Sequence, residues 1–352
     1  MTLGKSLIGN PGTAGEVRKT ASIRAKAGAE ARLPGGHRFF IVDVFGECKY
    51  SGNQLAVVLP ARKLETAEMQ AIAREFNFSE TTFIPSVSPR QGAYAVRIFT
   101  PRGEVPFAGH PCLGTAHIIL KHLAKPGTRD IVLDLKAGRI PVRCGDDGAG
   151  LLWMRQLAPV FGKTHDAKAF AKVLGLDPGK AEKAGRAGRT GSIGGAGDFD
   201  ARFPIQQVST GMEFLLVPLK NLAAVEKAAT DMAAYRKYFL GQAIDAATGA
   251  RGLPIFLFCA ETRDPANRIH ARMFADMFGI PEDPATGSAN GCLAGYLIKH
   301  GYFGKGPVRV SVEQGYEMGR NSILHIDARA KGRNIEVQVG GKVFDVAEGR
   351  LV

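Results

Sequence analysis

The chain has 352 residues, 45% hydrophobic and 22% charged, the balance of a soluble globular protein with room for two domains of ordinary size or one large one. No apolar run is long enough to span a bilayer and the N-terminus lacks the apolar core of a signal peptide, so the expected location is cytoplasmic, with no membrane partner. The net charge of +13 raises a nucleic-acid reading that its distribution weakens.

Residues 1–38 hold seven Lys/Arg against two acids, over a stretch with little hydrophobic periodicity. They read as a basic, disordered extension, with a targeting peptide or a mis-assigned start as alternatives. The remaining surplus is scattered, without a basic helix or an aromatic-interleaved stripe, so no nucleic-acid partner is expected. The five cysteines lie far apart, and there is no C-x-x-C or H-E-x-x-H. Neither a disulfide framework nor a metal nor another cofactor is expected. Cys112 and His117 sit close in sequence but point to different faces of a helix.

The first structured segment, "RFFIVDVFGECKYSGNQLAVVLP", reads as two strands around a polar turn. In "LETAEMQAIAREFN", Met69, Ile72, Ala73 and Phe76 share one face of a helix that Asn77 can end. "NFSETTFI" follows as a strand, and alternation puts Glu80 on the face of Phe78 and Ile84, a face that normally turns inward. "AYAVRIFTP" is another strand. In "FAGHPCLGTAHIILKHLAKPG", Pro111 falls where a helix begins, and the apolar residues cover nearly every side, as in a buried helix. "DIVLDLKAGRIPVRCGDDGAGLLWMRQLAP" reads as three strands with hairpin turns. The Gly-rich stretch "KAGRAGRTGSIGGAGDFDAR" lacks the Lys-Ser/Thr of a phosphate loop and reads as a flexible insertion near 183–203.

The second half repeats the first in outline. "VSTGMEFLLVPL" parallels "YSGNQLAVVLP". "ARMFADMFGIPEDPATGSANGCLAGYLIKHG" parallels "VRIFTPRGEVPFAGHPCLGTAHIILKHL". The equivalent arginines, Arg97 and Arg272, and the equivalent glycines, Gly109 and Gly287, are separated by nearly the same distance along the chain, the mark of a duplicated unit. At each loop–helix junction a polar residue stands at a capping position, His110 before Pro111 and Ser288 before "ANGCLAG". A buried helix opening toward a cleft offers free N–H groups and a positive dipole end, and small residues let a ligand approach. If the halves face each other, the two junctions converge on one carboxylate. Taken singly, these residues have plainer readings. Glu80 could pair with an arginine at a sheet edge, His110 could be a loop histidine and Asp283 a turn residue. Ser288 could be only a cap, and Gly52–Asn53 only a tight turn.

Together "VDVF…GNQLAVV", "NFSETTF", "FAGHP" and "EDPATGSA", in that order over roughly residues 39–350, resemble the phenazine-biosynthesis PhzF-type isomerase/epimerase family. The resemblance implies an α+β fold of the diaminopimelate epimerase kind. That means two pseudo-symmetric domains (39–153 and 154–352), each a mixed, barrel-like sheet around a buried central helix. The terminal strand is a candidate to return to the first domain, and the site is expected in the cleft between them. It implies a cofactor-independent isomerase acting on a small carboxylate-bearing metabolite, with Glu80, His110 and Asp283 as catalytic residues. Ser288, Gly109, Gly287 and, more weakly, Asn53 are implied as substrate contacts. A homodimer is compatible with it. Racemases of the same fold carry two thiols where this chain has Ala108 and Pro284, which disfavours two-thiol chemistry. The alternative is an inactive ligand-binding or interaction protein on the same fold, against which the intact Glu80, His110, Asp283 and Ser288 argue.

Overall fold

A computed structural model describes residues 36–146, 148, 150–179, 197–240 and 252–352. The basic extension up to residue 35 and most of the Gly-rich insertion lie outside the described residues.

The first half contains β1 (His37–Val44), β2 (Asn53–Leu59), α1 (Thr66–Phe76), β3 (Glu80–Phe83), β4 (Tyr94–Ala95), β5 (Arg97–Phe99) and β6 (Glu104–Val105). It continues with α2 (Gly109–His122), β7 (Asp130–Leu135), β8 (Gly138–Cys144) and β9 (Leu152–Arg155). The second half contains β10 (Val160–His165), α3 (Ala167–Leu174), β11 (Ile205–Ser209), β12 (Glu213–Pro218), α4 (Leu222–Lys227), α5 (Met232–Tyr238), β13 (Ile255–Cys259), β14 (Ile269–Ala275) and β15 (Ile280–Asp283). After these come α6 (Gly287–His300), β16 (Val308–Gln314), β17 (Ser322–Lys331), β18 (Asn334–Gly341) and β19 (Val343–Leu351).

The internal repeat is visible in the strand pairing. In the first half β1 pairs antiparallel with β2, β2 parallel with β3, β3 antiparallel with β5 and β5 antiparallel with β6. The second half repeats this series through β11, β12, β13, β14 and β15. Each half then passes through its long helix into an antiparallel run, β7–β8–β9 or β16–β17–β18. Two sheets result. One has six strands in the order β19–β1–β2–β3–β5–β6, and the other has thirteen strands and joins the halves where β18 pairs with β9. The C-terminal strand β19 returns to lie beside β1.

The repeated arginines have one job in both halves. Arg97 on β5 grips Glu104 on β6 through two N–H···O bonds of 2.8 and 2.9 Å, and Arg272 on β14 grips Glu282 on β15 through two of 2.8 and 2.9 Å. Such bidentate pairs are stronger and more directional than single contacts. Each fixes the short strand that leads into a long helix.

Helices α2 and α6 sit inside the strands. Helix α2 packs on β1, β2, β3, β7, β8 and β9, and α6 on β11, β12, β16, β17 and β18. Gly109 to Ala116 and Gly287 to Leu297 are buried without a break, as the all-round apolar composition of both segments requires. Each fully buried Leu or Ile in these helices contributes roughly 1.5–3 kcal/mol. Helix α1 ends where Asn77 takes the left-handed conformation, at φ 53°, and that turn delivers the chain into β3.

Candidate active site

Strand β3 turns Glu80 and Thr82 toward α2, and Ile84, just past its end, follows, since Thr82 accepts a 2.8 Å hydrogen bond from the Thr115 hydroxyl and Ile84 joins the core around that helix. Phe83 points the other way, into the small core under α1. Alternation thus places Glu80 on an inward face. Phe78, however, precedes the strand and stacks near Phe76, with ring centroids 6.1 Å apart. The reading that put Phe78 on the strand face is corrected, because β3 starts only at Glu80.

The caps are corrected as well. Helix α2 is capped by Ala108 and α6 by Thr286, so His110 and Ser288 are each the second residue of the first helical turn. Gly109 and Gly287 already have helical backbone, which moves each helix start two residues upstream. Pro111 therefore stands third in α2, where its missing N–H still costs no helical hydrogen bond.

The two helix starts meet backbone to backbone. A Cβ on Gly109 would lie 2.5 Å from the Ser288 amide nitrogen and 2.9 Å from the Gly287 Cα. Only glycine permits this approach. The first N–H groups of a helix have no partner within it and carry its positive dipole end, so the junction gathers two such ends at one place.

Around this junction lie the polar side chains. Glu80 Oε2 is 3.5 Å from His110 Nε2. The Asn53 side-chain amide reaches Asp283 Oδ1 at 2.8 Å, the Ala285 carbonyl at 2.9 Å and His110 Nδ1 at 3.2 Å. Its two hydrogens go to the two shorter contacts, so Asn53 ties Asp283 and the following turn to β2. Asp283 also accepts from the Ser79 hydroxyl at 3.3 Å and from the Thr286 hydroxyl at 2.5 Å. His110 Nε2 is buried without a hydrogen-bond partner. An unpaired buried ring nitrogen beside a carboxyl group is costly, and such groups concentrate at functional sites. Of the residues expected from the sequence, Glu80, His110, Asp283, Asn53, Gly109, Gly287 and Ser288 all lie in this one neighbourhood. Ser79, Thr286 and Gln314 were not anticipated. Ser79 and Thr286 stand inside the quoted motifs. Gln314 lies on β16, with no motif around it.

The electrostatics separate the three ionisable groups. Burial, reinforced by the Asp283 charge, raises Glu80 from 4.5 to about 8. Burial also raises Asp283, to about 6, against the pull of its Thr286, Asn53 and Ser79 donors. Burial drives His110 down to about 3, opposed only by a backbone hydrogen bond at Gln54. Near neutral pH the site thus holds a protonated Glu80, an ionised Asp283 and a neutral imidazole. Separated values of this kind let one site run acid and base chemistry.

Cys112 donates to the Ala108 carbonyl at 3.1 Å and Cys292 is buried near Thr210. Burial raises both thiols, Cys292 to about 12. His117, next in line after Cys112, turns away to Asp345 at 3.3 Å. Among the described residues no group of three or more His, Cys, Asp or Glu is arranged to hold a metal ion.

Fold and site together define a class, the isomerases and epimerases built on the diaminopimelate epimerase-like fold. The model of the phenazine biosynthesis-like protein family, PhzC-PhzF, matches residues 42–349, and the chain belongs to that family. An uncharacterized isomerase of Mesorhizobium japonicum is 32% identical over 323 residues, covering 89% of this chain and 98% of its own. The trans-2,3-dihydro-3-hydroxyanthranilate isomerase of Pseudomonas chlororaphis is 31% identical, covering 90% and 99%. The crystal structure of a Bacillus anthracis phenazine biosynthesis protein of the PhzF family superposes with a TM-score of 0.75 at 25% identity, over 90% of this chain and 99% of the other. The chain is an isomerase.

Proposed function

We propose that this isomerase moves a proton between carbon atoms of a small carboxylate-bearing metabolite without a cofactor, and that Glu80 carries the proton. The observation behind this is the pairing of a carboxyl group raised to about 8 with an unpartnered imidazole nitrogen 3.5 Å away. At pH 7 about a tenth of such a group is ionised. The carboxylate form can take a proton from carbon, and the acid form can return it elsewhere on the same molecule. Neutral His110 orients the substrate or relays the proton through Nε2. Asp283, charged and close, raises Glu80 and so makes its ionised fraction a stronger base. The two helix starts at Gly109 and Gly287, with Ser288, receive the substrate carboxylate, because their N–H groups and dipoles favour an anion.

The relatives named for trans-2,3-dihydro-3-hydroxyanthranilate supply the first compound to try. The test is the pH dependence of its conversion, followed by NMR beside a panel of amino and hydroxy acids. Asp283 and Glu80 must both be ionised in the free enzyme for Glu80 to take the first proton, so kcat/KM should rise through about 6 and level off only above about 8. A profile flat from pH 5 to 9 would remove the pair from the chemistry.

A further inference from the structure

Gln314 closes strand β16 and is fully buried, and all four hydrogen-bonding capacities of its amide are used on one feature. Its Nε2 donates to the Asp283 carbonyl at 2.8 Å and to the Thr286 hydroxyl oxygen at 3.0 Å. Its Oε1 accepts from the Thr286 backbone N–H at 3.2 Å and from the Asn290 amide at 3.3 Å. The orientation is fixed by chemistry, since a flipped amide would set oxygen against the Asp283 carbonyl and N–H against the Thr286 N–H. The strand end itself is pinned. The neighbouring Glu313 accepts from His270 Nδ1 at 2.7 Å and Asn267 Nδ2 at 3.0 Å, and His270 Nε2 meets Glu317 at 3.0 Å.

The consequence lies in the direction of the hydrogen bonds. The Thr286 hydroxyl has one hydrogen. Because Gln314 donates to its oxygen, that hydrogen is free for Asp283 Oδ2. We propose that Gln314 is a positioning residue of the active site: it turns the Thr286 hydroxyl onto Asp283 and so keeps Asp283 charged beside Glu80. The inference rests on the reading of Glu80 and Asp283 as the proton-handling pair. The titratable groups around Asp283 are Glu80 on β3, His110 on α2 and the adjacent Glu282 on β15. The other donors to it, Asn53 and Ser79, are neutral and independent of Gln314. A purely structural glutamine would hold the turn without setting the charge of Asp283.

The test titrates Asp283 directly by carbon NMR of protein labelled at the aspartate carboxyls, the signal assigned by its absence in Asp283→Asn. This readout needs no substrate, so its failure is distinct from failure of the isomerase reading. In the parent the midpoint should fall near 6. Thr286→Val and Gln314→Met should each move it upward, the double variant should move it no further than Thr286→Val alone, and Thr286→Ser should restore the parent value. Should Gln314→Met not fold, the shift in Thr286→Val with rescue by Thr286→Ser carries the hydroxyl step. In that case Gln314→Glu, which loses one donor hydrogen when protonated and both when ionised, must also raise the midpoint. Parent-like titration in Thr286→Val, or in whichever Gln314 variant folds, overturns the proposal.

Discussion

Glu80 is a carboxylic acid whose surroundings favour the proton more when the chain is folded. Its value of about 8 against an ordinary 4.5 means that the protonated group favours the folded state fully below about 4.5, and that this contribution is lost as pH rises through 8. Glu80→Gln removes the dependence. The parent should lose about 4 kcal/mol relative to Glu80→Gln between pH 5 and pH 9, read as the difference in urea unfolding free energies. Equal pH dependence in the two proteins would show that Glu80 titrates normally. Burial acts on the cysteines in the opposite functional sense, since only a thiolate reacts quickly. With Cys112 and Cys292 both buried and raised, iodoacetamide at pH 7.5 should label neither within the time that labels the exposed Cys48. Rapid modification of Cys292 would place a reactive thiol near the site.

At the scale of elements, the site depends on two helix starts touching. Gly109 is the less tolerant of the pair, because its Cβ would strike the Ser288 and Gly287 backbone, whereas a Cβ on Gly287 meets the Phe45 ring at 3.0 Å. Gly109→Ala should therefore cost about 2–3 kcal/mol and Gly287→Ala about 1 kcal/mol, measured by chemical unfolding; the reverse ranking would mean that the helices part easily. Much of this was legible in the sequence. The helix following Gly109, its twin following Gly287, the strand carrying Glu80 and the αL stop at Asn77 all follow from periodicity and capping chemistry. The sequence places both helix starts two residues late because a glycine reads as loop, yet here it begins the helix to allow the contact. The hub role of Asn53 was underestimated, since its partners Asp283 and Ala285 lie 230 and 232 residues away. Gln314 had no signal at all. A buried glutamine at the end of a strand looks like any polar strand end until the turn it holds is placed beside it.

At the scale of the molecule, the repeated strand pairing accounts for where the proposed site sits. Two copies of one strand–helix plan each end a braced short strand at the start of a buried helix, and the joined sheets bring those starts together. The copies have diverged at that point. Counting from the paired glycines, the position of Asp283 in the second copy is held by Val105 in the first, and that of His110 in the first is held by Ser288 in the second. One half thus supplies Glu80 and His110, and the other supplies Asp283 with its Thr286 and Gln314 supports. Neither half holds the set alone. The most direct test of the account is incubation of trans-2,3-dihydro-3-hydroxyanthranilate and the acid panel with the parent and with Glu80→Gln in deuterium oxide, read by mass spectrometry. The account predicts enzyme-dependent deuterium incorporation at carbon by the parent, and at least 100-fold less by a folded Glu80→Gln protein, the range for loss of an acid–base group. Incorporation by Glu80→Gln at the parent rate would contradict it.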